Sequence, residues 1–287
     1  MTDFVTQTAA AKRAPRRRLP FTVILGLALA GVIVTGSLLS SYLAPFDPMR
    51  MAAGQRLAAP SVKYLFGTDE FGRDLFSRVL LGGRLSLGIG IAAVVSGLTV
   101  GGLLGLIAAF SGRAIEAVLL RLIDVLYSFP DTLIALALVA FLGPGIENAT
   151  LAIAISLVPF YARVTYGLAA AEQAKPYIEA ARLAGIRSPR LVRVHVMPNI
   201  GQSLIVMGTL GFSSAILSAA GLSFLGLGVQ PPSPEWGAIL ASGRNYITKA
   251  PWILIFPGAA ICLTVLSFNL IGDALRDLVD PRRKGRS

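Results

Sequence analysis

The chain has 287 residues, of which 54% are apolar and 14% charged, with a mean hydropathy of +0.70. Soluble chains carry about 25% charged residues, so a soluble domain, intrinsic disorder and collagen are all excluded. A lone cysteine, Cys262, rules out an internal disulfide framework. The net charge of +11 would suit nucleic acid, but no soluble basic face with stacking aromatics accompanies it.

In chain order, residues 1–18 form a basic tail with Lys12, Arg13, Arg16, Arg17 and Arg18. It precedes an apolar run at 19–43, too long for a signal-peptide core and read as an uncleaved anchor. A polar segment at 44–84 follows. A core at 85–275 then carries apolar runs at 85–110, 122–142, 149–171, 200–227 and 251–271. Each is long enough for a helix crossing a bilayer, which takes about 20 residues, and none alternates as a barrel strand does. A basic tail at 276–287 ends the chain. The fold class expected is therefore all-α integral membrane, with six transmembrane helices. The fifth run, at 28 residues, would span about 42 Å against a hydrocarbon core of about 30 Å, so a bent or re-entrant outer end with Trp236 at the interface is expected.

Six spans place both termini on one side. With the termini inside, 18 of the Lys and Arg residues fall on the cytoplasmic side and 8 outside, as the positive-inside rule requires. The basicity is thus mainly a topology signal, with an attraction to anionic membrane lipids.

Chemistry is scarce. No phosphate-binding GxxxxGK[ST] loop is present, and one histidine with one cysteine cannot supply a His/Cys metal site. No cofactor, metal or catalytic residue is expected. An ion-coupled carrier would bury ionisable residues at mid-membrane, and these spans are nearly bare of them. A membrane scaffold that recruits a soluble partner is the third class considered. Asp131, behind Pro130, is the one acid well inside a span, and two readings stand. It lines a substrate pathway, or it belongs with Ser128 to a capped half-helix at a kink. Gly97, Gly101 and Gly105 recur every four residues, the pattern of a close helix–helix contact.

The loop at 172–199, EQAKPYIEAARLAGIRSPRLVRVHVMPN, is the longest polar stretch inside. Pro176 opens a short helix, with Tyr177, Ala180, Ala181 and Ala184 on one stripe, and Gly185 ends it. Ser188 is expected to cap a second helix, with Pro189 in its first position, and Pro198 to close the unit. A stripe of small residues suits either close docking of another protein or an amphipathic helix lying on lipid headgroups.

Glu179-Ala180-Ala181, Gly185 six residues after the Glu, and then Met197-Pro198 resemble the EAA loop of ABC importer permeases. GTDEFGRDLFSRVLLGGRLSLGIG at 67–90, GLSFLGLGVQPPSPEWG at 221–237, NLIGDALRDLVDPR at 269–282 and the Ala-Pro-Phe-Asp-Pro turn at 44–48 are similar to the second permease of dipeptide, oligopeptide and nickel importers. This resemblance implies a MetI-like permease core with an additional N-terminal helix and outer polar segment, in a bacterial or archaeal cytoplasmic membrane. It implies as partners a second homologous permease, two cytoplasmic ABC ATPases that hydrolyse the ATP, and an extracytoplasmic solute-binding protein. Tyr177, Glu179, Ala180, Ala181, Ala184 and Gly185 would then form the ATPase-docking helix. Peptides lead as substrate, with nickel chelates, glutathione, opines and glycosides beside them.

Glu179 could also form a local pair with Arg182, and His195 is read as an ordinary interfacial residue. Arg73 and Asp74 are read as a local ion pair. Ser223, Phe224, Leu225 and Gly226, at the outer end of the overlong fifth run, are candidates for an outer gate.

Overall fold

The computed structural model describes residues 21–279, so the basic tail expected at 1–18 and the end of the C-terminal one lie outside the described residues. The chain is all-helical. α1 (Phe21–Leu38) and the short α2 (Ser40–Leu43) precede a polar segment, after which come α3 (Leu75–Phe110), α4 (Arg113–Tyr127), α5 (Asp131–Leu142) and α6 (Ile146–Gln173). α7 (Pro176–Leu183) and α8 (Ser188–Leu191) form the inner loop, and a π-helical turn (Val192–Val196) joins α8 to α9 (Met197–Phe224). α10 (Trp236–Gly243) and α11 (Trp252–Val279) complete the fold. Among the described residues five helices are long and apolar enough to cross a membrane, and six if α4 and α5 count as one broken span.

Several elements depart from expectation. α3 starts at Leu75 rather than 85, because Asp74 caps it: its carboxylate accepts from the Ser77 amide at 2.8 Å and the Ser77 hydroxyl at 2.6 Å. With that role Asp74 does not pair with Arg73. Arg73 instead bonds Asp69 at 2.6 Å and lies 3.7 Å from Glu70, and Arg78 lies 3.4 Å from Asp69. These buried charges hold the outer segment, which is tied to α11 by Phe66 stacked on Phe256 at 3.8 Å and by the Trp252 indole donating to the Thr68 carbonyl at 3.1 Å.

The run at 122–142 is not one helix. α4 and α5 meet at an 88° bend across residues 128–130, because Pro130 has no N–H to continue the ladder and disfavours helical geometry at Phe129. The fifth run stays helical to Phe224. The chain then turns back through residues 225–235 into α10, which packs between α3, α9 and α11. Trp236 is not at an interface. It is buried, with its indole N–H donating to the Val79 carbonyl at 2.8 Å, and that long-range acceptor makes burial of the indole affordable. Glu235 caps α10 through the Ala238 amide at 2.9 Å and accepts from the Ser86 hydroxyl at 2.8 Å.

The most extensive close contact in the fold joins α3 to α6 along the glycine repeat. A Cβ on Gly97 would come within 2.9 Å of the Ala154 carbonyl and one on Gly101 within 2.6 Å of the Val158 carbonyl, while one on Gly105 would strike the Ala162 carbonyl. Lipid tails offer helices no hydrophobic reason to associate, so close backbone approach supplies the contact energy. Gly101→Val should therefore destabilise by about 1–3 kcal/mol. Gly167→Ala, where nothing lies within 4 Å of the added Cβ, should be neutral or stabilising by up to about 1 kcal/mol. Thermal unfolding of the purified protein in nanodiscs reads both.

Candidate coupling helix and intramembrane cavity

The inner loop is packed onto the ends of the long helices. Ile178 of α7 is fully buried, together with Ala169, Leu191, Val196, Ile200 and Leu204 from α6, α8, the π turn and α9. Side chains reinforce the mount. The Tyr177 hydroxyl donates to Glu172 at the end of α6, and Asn199 Nδ2 donates to the Tyr177 oxygen at 3.0 Å and to the His195 carbonyl at 2.6 Å. Lys175 bonds Glu172 at 2.7 Å, Gln173 donates to the Ala109 carbonyl at 2.7 Å, and Arg182 bonds Gln173. His195 faces the Tyr177 ring at 6.1 Å.

Three local expectations are corrected. Arg187, not Ser188, occupies the N-cap of α8, with no side-chain cap bond, because Ser188 is already helical. Pro198 does not end the unit: the π turn takes up the register before it, and Pro198 sits in the first turn of α9, where its missing N–H is harmless. Glu179 forms no pair with Arg182, whose guanidinium is engaged by Gln173.

The outward face of α7 consists of Glu179, Ala180, Leu183 and Ala184, all exposed, with Gly185 closing the helix at φ +81°. Ala181 leans on the buried cluster instead. Leu183 is 85% exposed and was missed in the sequence. Its signal was its place at the end of a helix whose neighbours are small, where nothing within the chain can cover it. Tyr177 is half-covered. The hydrogen bond to Glu172, then burial, then the Glu172 charge raise its phenol to about 12.

The second feature is an open-sided cavity of about 480 Å³ at the α4–α5 break, bounded by α6 and α9. Its walls are apolar, including Leu126, Phe129, Ile134, Leu157, Phe160 and Leu210, with Asp131 and the hydroxyls of Ser128, Ser156 and Ser214 set among them. The capping box expected for Ser128 and Asp131 is absent. Ser128 donates to the Val125 carbonyl at 2.7 Å, and Pro130 is the N-cap of α5. Asp131 accepts from the Thr132 amide at 2.8 Å and from the Ser214 hydroxyl at 3.3 Å. A separate, smaller apolar cavity lies along α5 and α9, lined by Leu136, Leu217, Ser218, Gly221 and Leu225. Leu210, Ser214, Leu217, Gly221 and Leu225 thus place one face of α9 along both cavities. Of the remaining gate candidates, Ser223 is buried and accepts from the Val229 amide at 3.2 Å, Phe224 ends α9, and Gly226 carries the turn.

Helices of membrane length around a cavity at a broken span, with a packed loop at one end, are what a helical membrane permease requires. Residues 101–285 match the family described as binding-protein-dependent transport system inner membrane component, and the chain belongs to that family. It is a multi-pass inner-membrane permease subunit. The di/tripeptide transport system permease protein DppC of Pseudomonas aeruginosa is 48% identical over 265 residues, covering 90% of this chain and 88% of that one. The probable D,D-dipeptide transport system permease protein DdpC of Escherichia coli is 44% identical, covering 86% and 83%. The glutathione transport system permease protein GsiD of Pectobacterium atrosepticum is 42% identical, covering 85% and 82%. Among solved structures, the MetNI methionine ABC transporter in inward-facing conformations shares the fold, at TM-score 0.54 and 20% identity over 72% of this chain and 96% of that one.

The raised Tyr177 phenol has a consequence for pH. Its neutral form is favoured in the folded loop, so the stabilisation is complete below pH 10 and is lost as pH rises towards 12. The difference in phenolate absorbance between the wild type and Tyr177→Phe should therefore titrate near 12 rather than near 10.

Proposed function

We propose that the protein is a transmembrane subunit of an ATP-driven ABC importer for short peptides or closely related small solutes. It would pair with a second, homologous permease, two cytoplasmic ATPases and an extracytoplasmic binding protein, with ATP hydrolysed in the ATPases and not in this chain. The names of its relatives support the substrate class.

The observation that carries the coupling role is the exposed face of α7 on its buried mount. Glu179 has no side-chain partner among the described residues, and Leu183 stands clear of the protein on a helix anchored through Ile178. An exposed leucine ringed by Ala180 and Ala184 fits a pocket in a partner, and a rigid mount transmits force where a flexible loop would absorb it. ATP binding would move α7 as a lever, and the spans would shift between inward- and outward-facing arrangements whose balance is set by differential nucleotide binding. Gly97, Gly101 and Gly105 keep α3 and α6 moving as one body in this scheme. Leu225, with Ser223, Phe224 and Gly226 around it, forms the outer gate at the end of the two cavities.

Leu183→Asp and Ala180→Arg should each lower ATP-driven uptake by about tenfold or more, while the second permease still co-purifies. Unchanged uptake with both variants would remove the coupling role from α7.

A further inference from the structure

Asp131 opens the 12-residue α5 and lines the same cavity as Pro159 of α6 and Ser214 of α9, both well inside 28-residue helices of membrane length. An ionised carboxylate so placed is costly unless a cation pairs with it. Among the described residues no Lys, Arg or His lies within ion-pair distance of Asp131, and none lines the cavity. The acids nearer the cytoplasmic end of α4 are differently placed: Asp124 pairs with Arg163 at 3.3 Å, and Glu116 accepts from Tyr166.

The carboxylate is also under-used. It can accept about four hydrogen bonds, and it takes one from the Thr132 amide and one from the Ser214 hydroxyl. Both hold its orientation and neither neutralises its charge. Its free acceptor capacity adjoins a cavity of about 480 Å³, inside the range of about 300–1,000 Å³ for small-molecule sites. The apolar walls beside it, Leu157, Phe160 and Leu210, would accommodate a hydrocarbon side chain. With no basic residue in the lining, a free carboxylate has no partner there.

We propose that this cavity is a substrate subsite within the permease, in which Asp131 binds the α-ammonium end of a short peptide and the apolar walls take its first side chain. The proposal rests on the importer reading above and adds the polarity of the bound peptide, amino end towards the α4–α5 break. Ser214 is a positioning residue that holds the carboxylate towards α9.

The test uses the assembled permease–ATPase complex in nanodiscs, with Cys262→Ala as background and Ile134→Cys as a reporter in the cavity wall. The rate of labelling by a neutral maleimide is measured against dialanine and against N-acetyl-dialanine, without binding protein, whose own preference would otherwise dominate. Dialanine should slow labelling. N-acetyl-dialanine, which lacks the ammonium, and the Asp131→Asn variant should each need about tenfold more peptide for half-protection. Asp131→Glu should restore protection, which separates loss of charge from loss of fold. Equal protection by the two peptides, no protection of the wild type, or undiminished protection in Asp131→Asn would overturn the subsite. ATP-driven dialanine uptake into proteoliposomes with binding protein tests the importer reading separately: uptake without protection sinks the subsite alone, and protection without uptake sinks the importer while leaving the subsite standing.

Discussion

The close approach of α3 and α6 is the constraint on which the remaining geometry depends. In hydrocarbon, two helices gain little by meeting unless their backbones come near enough for dense van der Waals contact, and the glycines at 97, 101 and 105 permit that over three successive turns. The seam fixes α6, and α6 carries both the cavity and the inner loop: its middle, at Ser156 and Phe160, walls the cavity, and its inner end, at Glu172, holds α7. Tyr161 shows how the third helix is drawn in. Fully buried, its Cβ lies against Gly101 of α3 and its hydroxyl against Gly211 of α9, so a side chain at either glycine would part the three helices.

Much of this was legible in the sequence because the bilayer leaves few options. Apolar runs of membrane length must be helices, and five of the six described spans follow from that rule. Element ends were less visible. The first ten residues of α3 carry Ser77, Arg78 and Arg84 and read as a polar loop, although the Asp74 cap makes them helical and Arg78 and Arg84 find partners at Pro48 and at Ser41 of α2. Pro130 announced a break but not its 88° angle, since the angle is set by how α5 packs against α6. Pro198 looked like a stop, and only the π turn before it shows how the chain continues.

The inner loop divides along the same line. Pro176, Gly185 and the Glu179-Ala180-Ala181 motif were local and readable. The side of α7 that is buried was not, because the small-residue stripe drew attention while the mount depends on Ile178 meeting Leu191 and Val196 from distant turns. Trp236 was misplaced for a similar reason: an indole near prolines suits a membrane interface, and the Val79 carbonyl that receives its N–H lies 157 positions away in sequence. Legibility ended wherever a residue's environment comes from a separate helix.

The two ends of the molecule are joined by rigid bodies of known length. From Glu172 to Phe160 along α6 is 12 residues, about 18 Å, and from Met197 to Leu210 along α9 is 13, about 20 Å. A movement of α7 would therefore be passed to the α6 and α9 walls of the cavity, to α6 at Glu172 and to α9 through α8 and the π turn. The α5 wall differs, because the 88° bend uncouples it from α4 and its contact with α9 includes the 3.3 Å bond between Asp131 and Ser214. A shift of α9 along its own axis would lengthen or relieve that bond before disturbing any apolar wall. A ligand cation on Asp131 and a nucleotide-driven partner on α7 would thus bias one mechanical coordinate, the position of α9 relative to α5. Linkage makes such coupling reciprocal: whatever loosens the hold of Asp131 on its ligand when α7 moves must also favour that movement when the ligand leaves.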